Sequence, residues 1–194
     1  NKILKNNDVG IFSNLILLIN EYLNINSEIN IGFANEKALP YWERNNWQGI
    51  SEFPLINKTL NQNYEFVCRY NEIKNFNDTH EKILKKNISN NIDIMWTKEF
   101  SNWRYFLNPR SKYKVFEIKY KNNIEGYVVL KEYVQRHQKM GHICQIVCKD
   151  DLIEDGIKFS MNYFFNKSIK CISMWQMSND ELYINKIGFE KKFL

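Results

Sequence analysis

Apolar residues recur every three or four positions in two separate stretches of the chain, residues 11–23 and residues 153–165. This spacing places the apolar side chains on one face of an α-helix, so each stretch is predicted to be an amphipathic helix. A short run of alternating or largely apolar residues follows each of them, at 28–33 and at 169–175. Such runs are typical of β-strands, and the pattern therefore predicts the same helix–strand order twice.

The two helix–strand segments align with each other without a gap, and a second helix pattern follows each strand. In the first segment Pro40 suits the first turn of a helix, and in the second residues 178–181 (Ser-Asn-Asp-Glu) form a capping-box pattern. The alignment also places Trp47 on Phe189, at the end of each helix pattern. We therefore expect one and a half copies of a single unit, with only the C-terminal half of the first copy, cut from a longer parent protein.

The residues between these segments predict further strands and helices. Residues 48–59 indicate an irregular strand interrupted by a proline, and residues 64–70 indicate a regular one. Residues 79–87 and 98–107 predict helices, and residues 113–133 predict a β-hairpin that turns at two asparagines. With the strongly apolar strand that follows the hairpin, these elements predict an α/β fold in which a mixed sheet carries helices on both faces.

A polar segment marks the expected division of the chain. Residues 71–77 are polar and are predicted to be a linker. Residues 1–70 would then be the C-terminal half of a first domain, and residues 78–194 a second domain whose last strand is expected beyond the final residue. The central strands of the second domain are predicted at 141–148 and 169–175, because apolar strands suit positions that are covered on both faces.

Composition and charge narrow the class of protein. Hydrophobic residues make up 44% of the chain and aromatic residues 15%, which is ample for a packed core. The formal net charge is +5, but lysine and arginine are scattered rather than clustered, so no nucleic-acid partner is expected. The longest apolar run, residues 15–19, is too short to span a membrane, and residues 1–8 do not have the layout of a signal peptide. A cytoplasmic protein without a membrane partner is the expectation.

The cysteines raise one alternative. The chain has four of them, all in apolar contexts: Cys68, Cys144, Cys148 and Cys171. His142, Cys144 and Cys148 are predicted to share one face of a strand, which makes a metal site conceivable there. The spacing of a four-ligand site is missing, so free thiols packed in the core are favoured and no metal is expected.

Three stretches of sequence carry a resemblance to a known family. They are residues 31–47, which contain Ile-Gly-Phe-Ala-Asn and end in Asn-Trp; residues 103–113, with Trp-Arg-Tyr, Asn-Pro and Tyr; and residues 184–189, Ile-Asn-Lys-Ile-Gly-Phe. With the order of elements given above, they resemble the GNAT superfamily, the acyl-CoA-dependent N-acyltransferases, and in particular tandem GNAT-like proteins from bacteria. The resemblance implies acetyl-CoA as acyl donor and a mixed sheet of the GNAT type.

The resemblance also implies where a site would lie. In the family, the fourth strand splays from the fifth to admit the pantetheine arm, and the following loop binds the pyrophosphate at a helix N-terminus. A tyrosine commonly protonates the leaving thiolate. Here Trp42 stands at the usual tyrosine position, so Tyr41 is the expected catalytic residue. The expected cofactor-binding residues in the first copy are Val9, Gly10, Ile11 and Asn35.

Both copies depart from the family's phosphate-binding loop. Asp8 stands where the first loop would have a glycine, and Asp150 and Asp151 occupy the corresponding turn of the second copy. Because carboxylates repel a diphosphate, the second copy is expected to bind acetyl-CoA only weakly.

Three functions are therefore left open. The first is an acyl-CoA-dependent N-acyltransferase, an N-acetyltransferase whose acceptor is a small amine such as an amino sugar or amino acid. The second is a non-catalytic GNAT-like module for binding or pairing, which allows a homodimer. The third is an aminoacyl transferase like the Fem proteins. Within residues 103–105, Trp-Arg-Tyr, the aromatic residues are expected to pack while Arg104 pairs with a carboxylate.

Overall fold

The computed structural model describes residues 10–26, 32, 34, 36–49, 54–86, 96–109, 112–175 and 185–191. The chain divides into two compact units, Asn1–Glu52 and Phe53–Leu194. Within the described residues, no helix combines the length and the apolar character that crossing a membrane requires.

The smaller unit contains two helices, α1 (Ile11–Asn26) and α2 (Leu39–Glu43). Both were predicted, and Pro40 lies in the first turn of α2, where its missing N–H costs no helical hydrogen bond. The strand predicted at 28–33 lies almost entirely outside the described residues. The two helices predicted for this unit are therefore confirmed, and the strand and the repeat itself stay predictions.

Most of the apolar side chains of α1 are exposed. Ile16 is buried, and the indole of Trp47 donates a hydrogen bond to the Asn20 side chain at 3.0 Å. Other apolar residues of the helix are exposed: Ile11, Leu15, Leu17, Leu18, Ile19, Tyr22 and Ile25. The predicted apolar face is thus only partly covered.

The larger unit is built on a seven-stranded sheet. Its strands are β1 (Leu55–Thr59), β2 (Arg69–Ile73), β3 (Tyr113–Tyr120), β4 (Asn123–Gln135), β5 (Gln138–Val147), β6 (Cys171–Trp175) and β7 (Glu190–Lys191). The order across the sheet is β2-β3-β4-β5-β6-β1-β7. Within the described strands, β5 and β6 pair in parallel and the other neighbours are antiparallel. The sheet is therefore mixed, as predicted, and β5 and β6 are internal strands.

Among the described residues, helices α3 (Asp78–Lys86), α4 (Lys98–Asn102) and α5 (Asp150–Phe165) accompany this sheet, and residues 185–187 are also helical. The helix predicted at 98–107 ends as an α-helix after Asn102 and continues as a π-helical turn, Trp103–Leu107. Thr97 caps the start of α4, because its hydroxyl accepts a hydrogen bond from the Phe100 N–H at 3.1 Å.

Alternate residues of β4 belong to two different cores, which shows that both faces of the sheet are covered. Val128 and Leu130 pack in a cluster with apolar residues of α5, such as Met161. Tyr127 and Val129 pack in a second cluster on the opposite face, together with Phe76 and Tyr105. Because successive side chains of a strand point to opposite faces, this alternation confirms the predicted α/β layering.

The first two strands correct the predicted domain layout. β1 falls in the segment assigned to residues 1–70, but all five of its residues pair with β6 in the sheet of the larger unit. Residues 71–73, predicted as the start of the linker 71–77, are the second half of β2 and pair with β3. The regular strand predicted at 64–70 is wrong over most of its length, because β2 begins only at Arg69.

Side chains of α5 hold the segment that precedes β2. The Asp155 carboxylate accepts hydrogen bonds from the N–H groups of Val67 and Cys68, at 2.6 and 3.1 Å, and from the Tyr70 hydroxyl at 2.8 Å. Two turns further along α5, the Asn162 side-chain amide accepts a hydrogen bond from the Tyr64 N–H at 2.8 Å and donates one to the Tyr64 carbonyl at 2.7 Å. These side chains satisfy backbone groups that would otherwise need a neighbouring strand.

Replacing Asp155 by alanine should destabilise the larger unit by about 3 kcal/mol, because three hydrogen-bond donors lose a buried acceptor. The measurement is urea unfolding followed by tryptophan fluorescence. Glu154→Ala is the matched control on the same helix, since Glu154 forms ion pairs with the lysines Lys158 and Lys186. Its loss should cost less than about 1 kcal/mol. Equal effects of the two substitutions would contradict the role given to Asp155.

Candidate functional site

The described pairing between the two parallel strands is short, and we call the point where it ends the fork. β5 pairs with β4 as far as Val147, but its pairing with β6 covers only Gly141–Ile143. In the described residues, the four β5 residues after Ile143 therefore have no ladder partner on the β6 side. The described part of β6 ends at Trp175, one residue after the Met174 that pairs with Ile143.

A β-bulge lies at the start of the fork. Val129 of β4 pairs with Gln145 and Leu130 pairs with Ile143, so Cys144 is an extra residue in β5. A bulge of this kind bends its strand and increases the local twist. The bulge thus gives a physical reason why β5 leaves β6 directly after Ile143.

The π-helical turn contacts the bulge. Tyr105, which is buried, donates a hydrogen bond from its hydroxyl to the Gln145 side chain at 2.7 Å. The Arg104 guanidinium lies over the rings of Trp96 and Tyr105, at 5.5 and 5.6 Å from their centroids. The packing role predicted for these aromatic residues is confirmed for Tyr105. Arg104 was predicted to pair with a carboxylate, but the contacts that the described residues show for it are with these two aromatic rings.

A row of polar side chains crosses the sheet and ends at the fork. Tyr113 on β3 pairs directly with Lys131 on β4. Lys131 in turn pairs with His142 on β5, and His142 pairs with Ser173 on β6. Direct partners in a sheet point to the same face, so these four side chains lie side by side. We call them the cross-strand row. Tyr113 packs against the cluster that contains Tyr105, which places the row on the face of the π-helical turn.

The row is held together by specific contacts. The Lys131 ammonium lies 5.4 Å from the centre of the Tyr113 ring. Nδ1 of His142 is 2.8 Å from the Ser173 hydroxyl, and the Tyr133 hydroxyl is 3.1 Å from the same oxygen. Burial, together with the charge of Lys131, lowers the pKa of His142 to about 4. The imidazole is therefore neutral at pH 7 and can accept or donate a hydrogen bond without carrying charge.

Three of the four cysteines have pKa values raised well above the ordinary range of a thiol. Burial is the first cause that raises the pKa of Cys68, Cys144 and Cys148, each to about 12, so these thiols stay protonated at neutral pH. The prediction that His142, Cys144 and Cys148 share one face is wrong for Cys148, which packs in the α5 core, whereas Cys144 packs against the cluster on the face of His142. Among the described residues no cluster of potential metal ligands occurs.

Acidic residues occupy the start of α5, which follows β5 directly. Asp150 and Asp151 lie in its first turn, as expected, and Lys149 at the N-cap position pairs with Glu125 at 2.8 Å. The lysine charge nearest to this helix end is thus already engaged by a carboxylate. Negative side chains here are favourable to the helix, since they interact with its positive N-terminal end.

The residues predicted for the first copy belong to the smaller unit. Tyr41 lies in α2, exposed, with the Arg44 guanidinium 5.8 Å from its ring centre. Gly10 precedes α1 and accepts a hydrogen bond from Asn14, and Ile11 begins the helix with 65% of its surface exposed. The two remaining residues, Val9 and Asn35, lie outside the described part of the chain. Their roles remain predictions.

The chain matches no protein-family profile and no curated protein. Among solved structures it is similar to an aminoglycoside acetyltransferase from an uncultured soil metagenomic sample, at 13% identity and a TM-score of 0.46, over 66% of this chain and 92% of that one. It is also similar to a glucosamine-6-phosphate N-acetyltransferase from Arabidopsis thaliana, at 14% identity and a TM-score of 0.43, over 66% of this chain and 95% of that one. A third similar structure is a predicted acetyltransferase with acetyl-CoA from Clostridium acetobutylicum, at 16% identity and a TM-score of 0.45, over 66% of this chain and 94% of that one. These TM-scores lie below 0.5, so the likeness by itself assigns no activity to the chain.

The lowered pKa of His142 predicts a pH effect on stability. Its folded-state pKa of about 4 lies below the ordinary value of 6.5, so the unfolded chain binds the proton more readily between these two values. The stabilisation is complete above pH 6.5 and is lost as the pH falls towards 4. Between pH 7 and 4.5, the wild-type protein should lose on the order of 2 kcal/mol more than a His142→Asn variant.

Urea unfolding at the two pH values is the measurement. His137→Asn is the control, because His137 is exposed in the turn between β4 and β5, where its positive φ suits asparagine. This control should keep the pH dependence of the wild type. If His142→Asn kept it too, the neutral buried imidazole would be disproved.

Proposed function

We propose that this protein is an N-acetyltransferase that transfers an acetyl group from acetyl-CoA to the amine of a small acceptor. The observation that supports this most is the fork between β5 and β6, with α5 beginning directly after β5. This is the arrangement that the resemblance to the GNAT superfamily implies for an acyl-CoA site. The structural neighbours named above are acetyltransferases, which is consistent with the proposal.

The two ends of acetyl-CoA fit the fork unequally. The β5 edge beyond Ile143 offers backbone groups that can hydrogen-bond to the amides of a pantetheine arm. At the start of α5, however, Asp150 and Asp151 would meet the negatively charged diphosphate. The thioester arm therefore fits and the diphosphate is disfavoured, which predicts productive but weak binding.

The cross-strand row supplies groups for the acceptor amine. Acetyl-CoA, when bound, supplies the acyl group as a thioester. His142 pairs with Ser173, one residue before the pairing of β5 with β6 ends at Ile143. As a neutral imidazole it can hold the amine by a hydrogen bond, and Ser173 fixes the ring through Nδ1. We assign His142 an orienting role towards the amine.

A non-catalytic binding module remains the second candidate function. The specific observation in its favour is the pair of acids in the first turn of α5, at the place where the family binds pyrophosphate. A protein that retained the fold without the cofactor would have no need to keep this turn free of negative charge. The two candidates differ in whether any acetyl transfer occurs.

Acetyl transfer should be detected when the full chain is incubated with acetyl-CoA and a panel of small amines. Release of the free thiol and the mass of the acetylated amine are the two measurements. His142→Asn should lower kcat about tenfold or more, because the amine loses its orienting partner. If the folded protein acetylates no amine and does not bind acetyl-CoA, the enzyme proposal is wrong. If Tyr41→Phe abolishes transfer while His142→Asn does not, the activity belongs to the first copy.

Removing the two acids should strengthen cofactor binding. The double variant Asp150→Asn with Asp151→Asn is expected to bind acetyl-CoA about thirtyfold more tightly at low salt, since each of the two carboxylate–phosphate repulsions is worth about 1 kcal/mol in high dielectric. Isothermal titration calorimetry measures the affinity. Glu65→Gln with Glu190→Gln changes the net charge equally at exposed positions and should have little effect. Equal gains in both double variants would show that only net charge matters.

A further inference from the structure

Ser173 lies at the centre of a small hydrogen-bond network around His142. The Ser173 side chain is fully buried, and its oxygen is 2.8 Å from Nδ1 of His142 and 3.1 Å from the Tyr133 hydroxyl. The same hydroxyl is 3.4 Å from the Gly141 carbonyl oxygen. Three polar groups therefore share one serine hydroxyl, which has a single proton and two lone pairs.

The direction of the serine proton decides the tautomer of His142. The Gly141 carbonyl oxygen can only accept, so this contact is a hydrogen bond only when Ser173 donates to it. The two serine lone pairs then accept from the Tyr133 hydroxyl and from an N–H at Nδ1 of His142. If Ser173 donated to Nδ1 instead, the hydrogen bond to Gly141 would be lost. The one arrangement that makes all three hydrogen bonds therefore places the imidazole proton on Nδ1.

A second histidine of the same unit has the opposite tautomer. Nδ1 of His80 accepts a hydrogen bond from the Asn77 backbone N–H at 3.2 Å, so the proton of the neutral ring lies on Nε2. Burial lowers the pKa of His80, which keeps this ring neutral at pH 7. The protein thus carries an internal reference for each of the two neutral forms of imidazole.

The tautomer determines what Nε2 of His142 can do for an amine. Without a proton, Nε2 accepts a hydrogen bond from an N–H of the amine, and the amine lone pair stays free to attack a thioester. In the other tautomer the Nε2–H group would donate to the amine and occupy that same lone pair. The orienting role of His142 is therefore productive only in the Nδ1–H form.

The same imidazole cannot remove a proton from an ammonium ion. Burial and the charge of Lys131 on β4 hold the pKa of His142 near 4, and Tyr133 is the other titratable side chain of β4 in contact with this network. An ordinary ammonium group has a pKa of about 8 or higher, so the proton transfer is strongly unfavourable. An acceptor must therefore enter the site as the free amine.

We propose that Ser173 is a positioning residue that holds His142 as the Nδ1–H tautomer, so that Nε2 accepts a hydrogen bond from an uncharged acceptor amine, and that the acceptors are weakly basic amines rather than alkylamines. This inference rests on the proposed acetyltransferase function. An α-amino group has a pKa of about 8 and a lysine-type amine one of about 10.4. At neutral pH the first is therefore present as the free amine far more often than the second.

Nitrogen-15 NMR of the full chain with labelled histidine measures the tautomers directly. A ring nitrogen without a proton resonates far downfield of one that carries a proton. The chain has three histidines, and the signals that disappear in His142→Asn are those of His142. We expect the Nδ1–H form for His142 and the Nε2–H form for His80. The Nε2–H form at His142 in the wild-type protein would overturn the proposal.

Two hydroxyl deletions separate positioning from packing. Ser173→Ala removes the partner of Nδ1 without adding volume, so His142 should change to the Nε2–H form and kcat/KM for an amine should fall about tenfold or more. Tyr133→Phe is the matched control, since it deletes a hydroxyl from the same network but keeps the Ser173–Gly141 contact. It should retain the Nδ1–H form. Unchanged His80 signals show that both variants are folded. A Ser173→Ala variant that keeps the Nδ1–H form would contradict the positioning role.

The choice of acceptor is tested by the pH dependence of a ratio. kcat/KM for total amine is measured at pH 7.5 and 9.5 with glycinamide, an α-amine, and with Nα-acetyl-lysine amide. The free-amine fractions of the two classes differ about 250-fold at pH 7.5 and about tenfold at pH 9.5. The ratio of the two kcat/KM values should therefore fall about thirtyfold between these pH values. A ratio that stays constant would show that the site deprotonates an ammonium ion, and the acceptor class would be wrong.

The NMR measurement needs no acetyl-CoA, so it separates this inference from the proposed function. If Ser173→Ala converts the tautomer of His142 but the wild-type protein acetylates no amine, the positioning by Ser173 stands, and the enzyme and its acceptor class are refuted. If amines are acetylated while His142 has the Nε2–H form, the enzyme is retained and this inference is refuted.

Discussion

The architecture of the larger unit depends on a buried carboxylate that replaces a missing strand. The chain leaves β1, which lies near one end of the sheet, and must reach β2 at the opposite edge. Over this crossing the backbone has no ladder, and the Asp155 and Asn162 side chains take over its hydrogen bonds. Because both belong to α5, the helix that begins beside the fork also fixes the edge of the sheet. The same helix, α5, therefore positions both the edge of the sheet and the candidate site.

Two local irregularities create the candidate site by meeting each other. A regular β5 would continue to pair with β6, and a regular α4 would carry Tyr105 on a different helical face. The bulge at Cys144 and the π-helical turn instead meet in the hydrogen bond from Tyr105 to Gln145. Irregular backbone of this kind is common at functional sites, because it re-aims side chains and leaves backbone groups unpaired.

Local signals in the sequence predicted the elements well. The hairpin follows from two apolar runs around a turn, but the turn lies one residue before the predicted pair of asparagines, at Lys121 and Asn122, which adopt the left-handed conformation. The sequence could not predict partners that lie far apart. Residues 64–68 alternate like a strand, but their hydrogen bonds go to helix side chains. The cross-strand row depends on a register that the bulge shifts by one residue, and nothing in the sequence marks Cys144 as the extra residue. The site was therefore expected in the first copy, on the strength of Tyr41 and its neighbours.

The position of β1 has a consequence for how the unit forms. β1 is the first strand of the larger unit to leave the ribosome, whereas its partners β6 and β7 are the last two. The hairpins of β3, β4 and β5 can close early because their partners are neighbours in sequence. β1 can pair with β6 and β7 only after nearly the whole unit has been synthesised, and bringing strands so distant in sequence together has a large entropic cost of loop closure. Until then the backbone of β1 is unpaired and available to any other unpaired strand, so pairing of β1 is the step at which slow assembly and mispairing between nascent chains are expected.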